Sequence, residues 1–261
     1  MTLIDTHCHL DFPVFDADRT EVLQACREKN IHAIVVPGVC RKDWRRLITL
    51  CSQDEMLYPA LGLHPCFLDE HHSDDLSQLA QLCETETLMA IGEIGLDFWQ
   101  VKRSVDNPES NKQRYYFSEQ LQIARQYQLP VLIHARKSHD EVIQYLQAVQ
   151  PLKGIVHAFS GSYEQAREYL KLGFKLGFGG AYTYPKATKL RALLLKLPLD
   201  AWVLETDAPD MSPLQHHGER NSPENLIEIA QALVNLYDAK SEAETIINQL
   251  HENTQYVFPS L

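Results

Sequence analysis

The stretch GIVHAFSGSYEQAREYLKLGFKLGF, residues 154–178, reads as a strand, a helix and a second strand. Gly154–Ala158 and Lys175–Phe178 are short apolar runs of strand length. Between them, Ser162 and Gln165 have the spacing of a capping box, in which each side chain satisfies a backbone N–H of the other. Gly173 suits the end of that helix, where the chain must leave the helical region. Two strands joined through a helix run parallel.

The same alternation extends in both directions. Further strand candidates are Leu3–Thr6, Ala33–Pro37, Tyr58–Leu63, Met89–Ile94, Val131–His134 and Trp202–Thr206. After Asn111, residues Tyr116, Phe117, Leu121, Ile123, Ala124 and Tyr127 share one broad helical face. Ser222-Pro223-Glu224 has the N-cap, N1, N2 pattern and leads into Leu226, Ile229, Ala230, Leu233 and Tyr237. Ser241 with Glu244 opens a last helix through Ile246, Ile247 and Leu250. Phe98–Asn111 and Met211–Asn221 are polar loops. Strands alternating with helices imply an α/β fold with a parallel sheet. With 261 residues, the simplest arrangement is a (β/α)8 TIM barrel over residues 1–261 as one domain. The competing arrangement is an open, doubly wound sheet.

Composition narrows the function classes. Hydrophobic residues make up 44% and charged residues 23%, a globular balance. No run reaches the roughly 18 apolar residues of a membrane helix, so no membrane partner is expected. The net charge of −11 gives no general hold on a polyphosphate, so any nucleic-acid role must rest on a local site. The six cysteines form no C-x-x-C pair, and the start Met1-Thr2-Leu3-Ile4-Asp5 lacks a basic and then apolar leader. A reduced, cytoplasmic protein with ordinary thiols is expected.

The polar residues fall where the strand candidates end. His7 and His9 close the first, two residues apart and therefore on one face of a strand. Alone, this pair is equally a solvated or hydrogen-bonded one. Glu93 closes the fourth strand between Gly92 and Gly95, an odd place for a carboxylate unless it is paired. His134 closes the fifth strand, His157 the sixth and Asp207 the eighth. In a barrel these ends converge on one mouth, the usual place of catalysis. Four imidazoles and two carboxylates suit two divalent metal ions per chain, with one carboxylate bridging. Zn, Mg or Mn would each be compatible with such donors. His64 is either a third-strand residue reaching the mouth or a turn histidine before Pro65. Arg136 is a candidate phosphate grip or else an ion-pair partner, and Arg220 is a weaker candidate of the same kind. His71, His72, His216 and His217 read as solvated; His32, His139 and His251 carry no motif.

With these pieces in place, the sequence resembles the TatD-like metal-dependent deoxyribonucleases of the amidohydrolase superfamily. The matching segments run in family order: 4–11 (IDTHCHLD), 62–65 (GLHP), 92–97 (GEIGLD), 130–136 (PVLIHAR), 157–161 (HAFSG), 204–209 (LETDAP) and 220–223 (RNSP). The resemblance implies a distorted eight-stranded barrel. It implies that His7, His9 and Asp207 hold one ion, that His134 and His157 hold the other, and that Glu93 bridges. There is no lysine between Thr87 and Phe98 to bridge in carbamylated form, in agreement with the Glu-bridged branch. Ser138 stands where Ala or Thr is usual, and Asp210 where an aromatic is common; the latter lies at the mouth and bears on substrate choice.

The expected function is a metal-dependent phosphodiesterase, a deoxyribonuclease acting on single strands or ends. Two adjacent cations would bring a shared water's pKa toward neutrality and stabilise developing oxyanion charge. Asp207 is the candidate general base, and Glu93 sets the metal spacing. A hydrolase of small amides, esters or lactones could use the same centre. Metal retention without turnover, and a closed four-ligand structural zinc site, both fit the donor set less well. The expected partner is DNA or a small phosphoester or amide substrate; no obligate protein partner stands out.

Overall fold

Every strand candidate becomes a strand, and each pairs in parallel with the next. In a computed structural model described over residues 2–237 and 242–261, the strands are β1 (Leu3–Asp5), β2 (Ile31–Pro37), β3 (Leu57–Leu61), β4 (Ala90–Asp97), β5 (Val131–Arg136), β6 (Gly154–Val156), β7 (Phe174–Phe178) and β8 (Trp202–Leu204). Their spatial order is their chain order, β1 through β8. A doubly wound sheet reverses its strand order at a switch point; this sheet does not, and it curls into a nearly closed (β/α)8 barrel. At the seam, Thr6 N–H donates to the Leu204 carbonyl (3.1 Å) and Asp207 N–H donates to the His7 carbonyl (2.9 Å). The buried Asp5 carboxylate also spans the seam, accepting from Thr206 N–H (3.0 Å) and Thr206 Oγ1 (2.5 Å).

Helices cover the outside: α1 (Arg19–Glu28), α2 (Arg41–Ser52), α3 (Asp75–Thr85), α4 (Pro108–Tyr127), α5 (His139–Ala148), α6 (Tyr163–Lys171), α7 (Thr188–Lys196), α8 (Leu226–Leu236) and α9 (Ala243–Val257). The capping box of α6 forms as read: Gln165 N–H donates to Ser162 Oγ (3.1 Å) and Ser162 N–H to Gln165 Oε1 (2.8 Å). Gly173 follows at φ +82°. Alternate strand residues divide the core. Val35, Ala60, Ala90, Leu132, Ile155 and Val203 form a cluster inside the barrel, plugged by Val257 and Phe258 from the end of α9. Their strand neighbours, such as Ile34, Val36, Ile133 and Val156, join the larger layer under the helices. No described helix is long and apolar enough to cross a membrane.

Some boundaries differ from the sequence reading. The loop after β4 ends before Asn111: Asn107 Oδ1 accepts from Glu109 and Ser110 N–H (2.9 and 3.1 Å), so α4 starts at Pro108. Ser222-Pro223-Glu224 first makes a short 3-10 turn, and α8 begins at Leu226. Ser241 lies outside the described residues. The face that α4 buries also carries amides. Gln120 Oε1 accepts from Leu63 N–H (2.7 Å) while its Nε2 donates to the Leu63 carbonyl (3.2 Å). Gln113 clamps Asp97 the same way, at 2.8 and 2.9 Å. Two glutamines seven residues apart on one face of α4 thus fix the backbone beside His64 and at the end of β4. Gln120→Leu is expected to cost about 1–3 kcal/mol, because it strands buried peptide groups. Urea unfolding would show a lower midpoint at unchanged slope.

Candidate metal centre

The barrel mouth gathers the polar residues, but not always from strand ends. Glu93 lies inside β4, which continues to Asp97, rather than at its end. The pairing register gives the reason. Between Ile91 and Ile94 the strand advances three residues while β5 advances two, from Val131 to Ile133. This bulge frees Glu93 from the ladder and re-aims its side chain. Its N–H donates instead to the Gly38 carbonyl (3.1 Å). Gly95 sits at φ +152°, and a Cβ there would lie 1.9 Å from the His134 carbonyl oxygen, so only glycine lets β4 pass His134. His134 likewise lies within β5, which runs on to Arg136, while His157 follows β6 directly. His7, His9 and Asp207 lie beyond the ends of β1 and β8, on segments held by the seam bonds.

The donor atoms converge. His7 Nε2 lies 3.1 Å from Glu93 Oε2 and 3.4 Å from His9 Nε2. Asp207 Oδ1 faces His7, His9 and His157 Nε2 at 3.9, 3.8 and 3.5 Å. On the other side, Glu93 Oε1 meets His134 Nδ1 at 2.9 Å and His64 Nε2 at 3.2 Å. The rings of His7 and His157 stack 3.7 Å apart. The donors of His7, His9 and Asp207 all lie within 4.8 Å of one another. Two further sets do the same: His7, His157 and Glu205, and His64, Cys66 and His134.

This donor set fits divalent ions. Two nitrogens bound at about 2.0–2.1 Å to one tetrahedral ion stand roughly 3.3 Å apart, close to the His7–His9 separation of 3.4 Å. Imidazoles stacked and edge-on at such distances cannot all carry protons without repulsion. A cation that accepts their lone pairs removes the conflict. Glu93 reaches donors on both sides through its two oxygens, as a bridging carboxylate would.

Further carboxylates orient the rings. Asp97 Oδ2 contacts His134 Nε2 (3.0 Å), leaving Nδ1 toward Glu93. Glu205 Oε1 lies 3.1 Å from His157 Nδ1, leaving Nε2 toward Asp207. Such outer carboxylates fix ring orientation and raise ligand basicity. Gly177 makes room for Glu205: a Cβ there would lie 2.1 Å from its Oε2. Burial opposes charge on Glu93, but the imidazoles of His64, His7, His134 and His157 outweigh it and hold its carboxyl well below the usual range. Burial is also the largest influence on His134, yet its bonds to Asp97 and Glu93 prevail and raise its pKa to about 9. Burial pushes His64 down to about 4. Asp207 and Ala158 sit at φ +56° and +43°, strained for non-glycine residues. Each is pinned by its N–H, donated to the His7 carbonyl (2.9 Å) and to Glu205 Oε1 (2.7 Å) respectively.

The remaining candidates separate. His64 reaches the mouth, and Arg136 stands exposed at its lip. Arg220 does not reach the mouth: it pairs with Asp18 at 2.9 and 2.6 Å and stacks on Phe15. His71 is buried rather than solvated, with Nε2 2.9 Å from the His64 carbonyl oxygen. Asp97, Glu205 and Asp5 are site residues that the pattern of strand ends does not single out, although all three lie in segments that carry ligands. The signal available was the position of each acid next to an apolar strand run. The mouth cavity is about 540 Å³, with Phe12, Val39, Phe67 and Met211 as its apolar wall.

Residues 4–259 match the family described as TatD related DNase. The chain is 40% identical over 258 residues to the uncharacterized metal-dependent hydrolase YjjV of Escherichia coli K12, covering 98% of this chain and 97% of that protein. It is 36% identical over 269 residues to an uncharacterized metal-dependent hydrolase of Haemophilus influenzae, covering 99% and 100%. The crystal structure of the TatD homolog YjjV from Escherichia coli K12 superposes with a TM-score of 0.90 at 38% identity, over 99% of this chain and 98% of that one. A TatD family hydrolase from Entamoeba histolytica, 21% identical, shares the fold with a TM-score of 0.86 over 99% and 98%.

Proposed function

This chain belongs to the TatD-related DNase family of metal-dependent hydrolases, and we propose that it is a phosphodiesterase that cuts single-stranded DNA or DNA ends. His7, His9 and Asp207 would hold one divalent ion, and His134 and His157 a second, with Glu93 between them. Such ions, when bound, let water ionise near neutral pH and stabilise charge on the reacting oxygens. Asp207 accepts the proton of the attacking water. It is ionised for that role, because His157, His7 and His9 outweigh its burial and hold its carboxyl below the ordinary value. The water oxygen forms its bond to phosphorus, the ester P–O bond breaks, and the proton is passed on to the departing oxygen. Glu93 holds its two groups of imidazoles in register, and Asp97 and Glu205 keep the rings turned inward.

The observation that carries the phosphodiester reading is Arg136. Its guanidinium is exposed, lines the mouth cavity, and has no carboxylate partner among the described residues. An unpaired guanidinium beside the donor cluster suits the non-bridging oxygens of a phosphate. It also gives an acidic chain the local positive charge that its net −11 withholds. The apolar wall favours a second reading, hydrolysis of small esters, amides or lactones.

An end-labelled single-stranded oligonucleotide, supplied with Mg, Mn or Zn in turn, separates the two. Metal-dependent shortening, abolished by EDTA, is the expected result. Hydrolysis of small esters or lactones with no cleavage of any phosphodiester would overturn the reading.

A further inference from the structure

Trp99 is 54% exposed, whereas Trp44 and Trp202 are 2% and 0% exposed. It stands just past β4, and its N–H donates to Asp97 Oδ1 (2.8 Å). The other oxygen of that carboxylate holds His134 (3.0 Å), so one aspartate ties the indole's backbone to the donor cluster. Over the indole lie two cations: the Arg136 guanidinium at 4.5 Å and the Lys137 ammonium at 5.4 Å from the ring centroid. Neither has a carboxylate partner among the described residues. The neighbouring acids are committed elsewhere: Glu141 to Arg103 (3.0 Å) and to Arg114, and Asp140 to Gln165 Nε2 (2.7 Å).

The cavities around this group share lining residues with the mouth. Arg136 lines the mouth cavity and also two cavities flanking Trp99, of about 470 and 320 Å³. The larger shares Ser160 with the mouth and is bounded by the first residues of α5 and α6. Its size lies within the range of ligand sites, about 300–1,000 Å³. A flat, exposed ring beside unpaired cations is the chemistry that holds a single strand: bases stack on the ring, and phosphates meet the positive charges.

We infer that Trp99, Arg136 and Lys137 form a nucleotide subsite next to the bond that is cut, taking the base of the adjoining nucleotide on the indole and its phosphate on the two cations. The inference rests on the phosphodiesterase reading above. The subsite is tolerant of sequence, since every base has a stacking face. It favours a single strand, because bases inside a duplex have both faces stacked on their neighbours.

The test compares a short single-stranded oligonucleotide with bis(p-nitrophenyl) phosphate, which has no adjoining nucleotide. Trp99→Ala is expected to raise KM for the oligonucleotide about tenfold with little change in kcat, and Trp99→Phe to restore most of it. The small diester should lose much less. Lys137→Ala should weaken oligonucleotide binding and flatten its salt dependence by about one phosphate contact. No change on the oligonucleotide, or equal losses on both substrates, would overturn the subsite.

Binding is read independently of cleavage with a cleavage-resistant phosphorothioate oligonucleotide. Saturable quenching of the wild-type tryptophan fluorescence, absent in Trp99→Phe, is expected. Quenching without hydrolysis of either substrate would keep the subsite and reject the phosphodiesterase; no quenching would reject the subsite.

Discussion

Asp207→Asn should lower kcat by about 10²–10⁴-fold while the barrel stays folded. The substitution keeps the shape of the side chain and one of its oxygens. It removes the negative charge and the capacity to take a proton. The backbone at Asp207 is anchored independently, through its N–H to the His7 carbonyl at 2.9 Å, so the seam should survive. The oxygen left in place can still face His7, His9 and His157, from which Oδ1 stands 3.9, 3.8 and 3.5 Å away. Substantial ion content is therefore expected to remain. The pH dependence has a defined sign. The carboxyl of Asp207 titrates below its ordinary value, so proton acceptance by this group is present at neutral pH and fails only as pH falls through that lowered value. Turnover on the labelled oligonucleotide, with bound metal measured on the same sample, decides the matter. A variant with full activity would remove Asp207 from the proton-accepting role.

Glu93→Gln should be the more damaging change for the ions themselves. Glu93 is 2% exposed and touches imidazoles on both sides of the mouth, at 2.9–3.5 Å. The amide leaves those rings without the one charge that, among the described residues, contacts both groups. Cations held by folded protein alone stabilise it by about 4 kcal/mol at a thousandfold excess over Kd. For a chain of this size, that corresponds to a rise in Tm of roughly 8–16 °C. Wild type should therefore show a rise of this order between EDTA and saturating metal. Glu93→Gln should show little response to metal and no turnover. Thermal unfolding with and without chelator is the measurement. A variant whose Tm still rises with metal as in wild type would show that Glu93 is not needed to hold the ions.

The sequence makes the barrel legible because each strand is a short apolar run and each interval repeats at helical spacing. The ligands are legible because six polar residues sit where apolar runs stop, which chance would not arrange. The bulge at Gly92–Glu93 is not readable in this way. An extra residue in one strand shows only against its neighbour's register, so Glu93 looked like an end when it lies mid-strand. The ring-orienting acids Asp97 and Glu205 were hidden among many acids, since their role depends on which ring nitrogen they face. Arg220 shows the opposite limit: its partner Asp18 is 202 residues away, and no local pattern announces the pair. The buried amides Gln113 and Gln120 sit on a helix face that hydrophobic spacing alone describes as apolar. The start of α4, by contrast, could have been read. Asn107-Pro108-Glu109 is the same cap pattern as Ser222-Pro223-Glu224, and it opens the helix directly.

On the ribosome, His7 and His9 emerge well before the residues that will close the barrel over them. At about 5–20 residues per second, roughly 10–40 s separate them from Asp207. In that interval the segment His7-Cys8-His9 offers a thiol between two imidazoles, a soft set that would favour copper or zinc over harder ions. The finished barrel withdraws that offer. Cys8 is 0% exposed, its N–H donates to the Val35 carbonyl (3.1 Å), and burial pushes its thiol far up. In its place the seam brings in the Asp207 carboxylate. Closing the last strand against the first thus retires the Cys8 sulfur and sets an oxygen beside the two imidazoles, so a nascent chain and the completed one would offer a passing cation different donors.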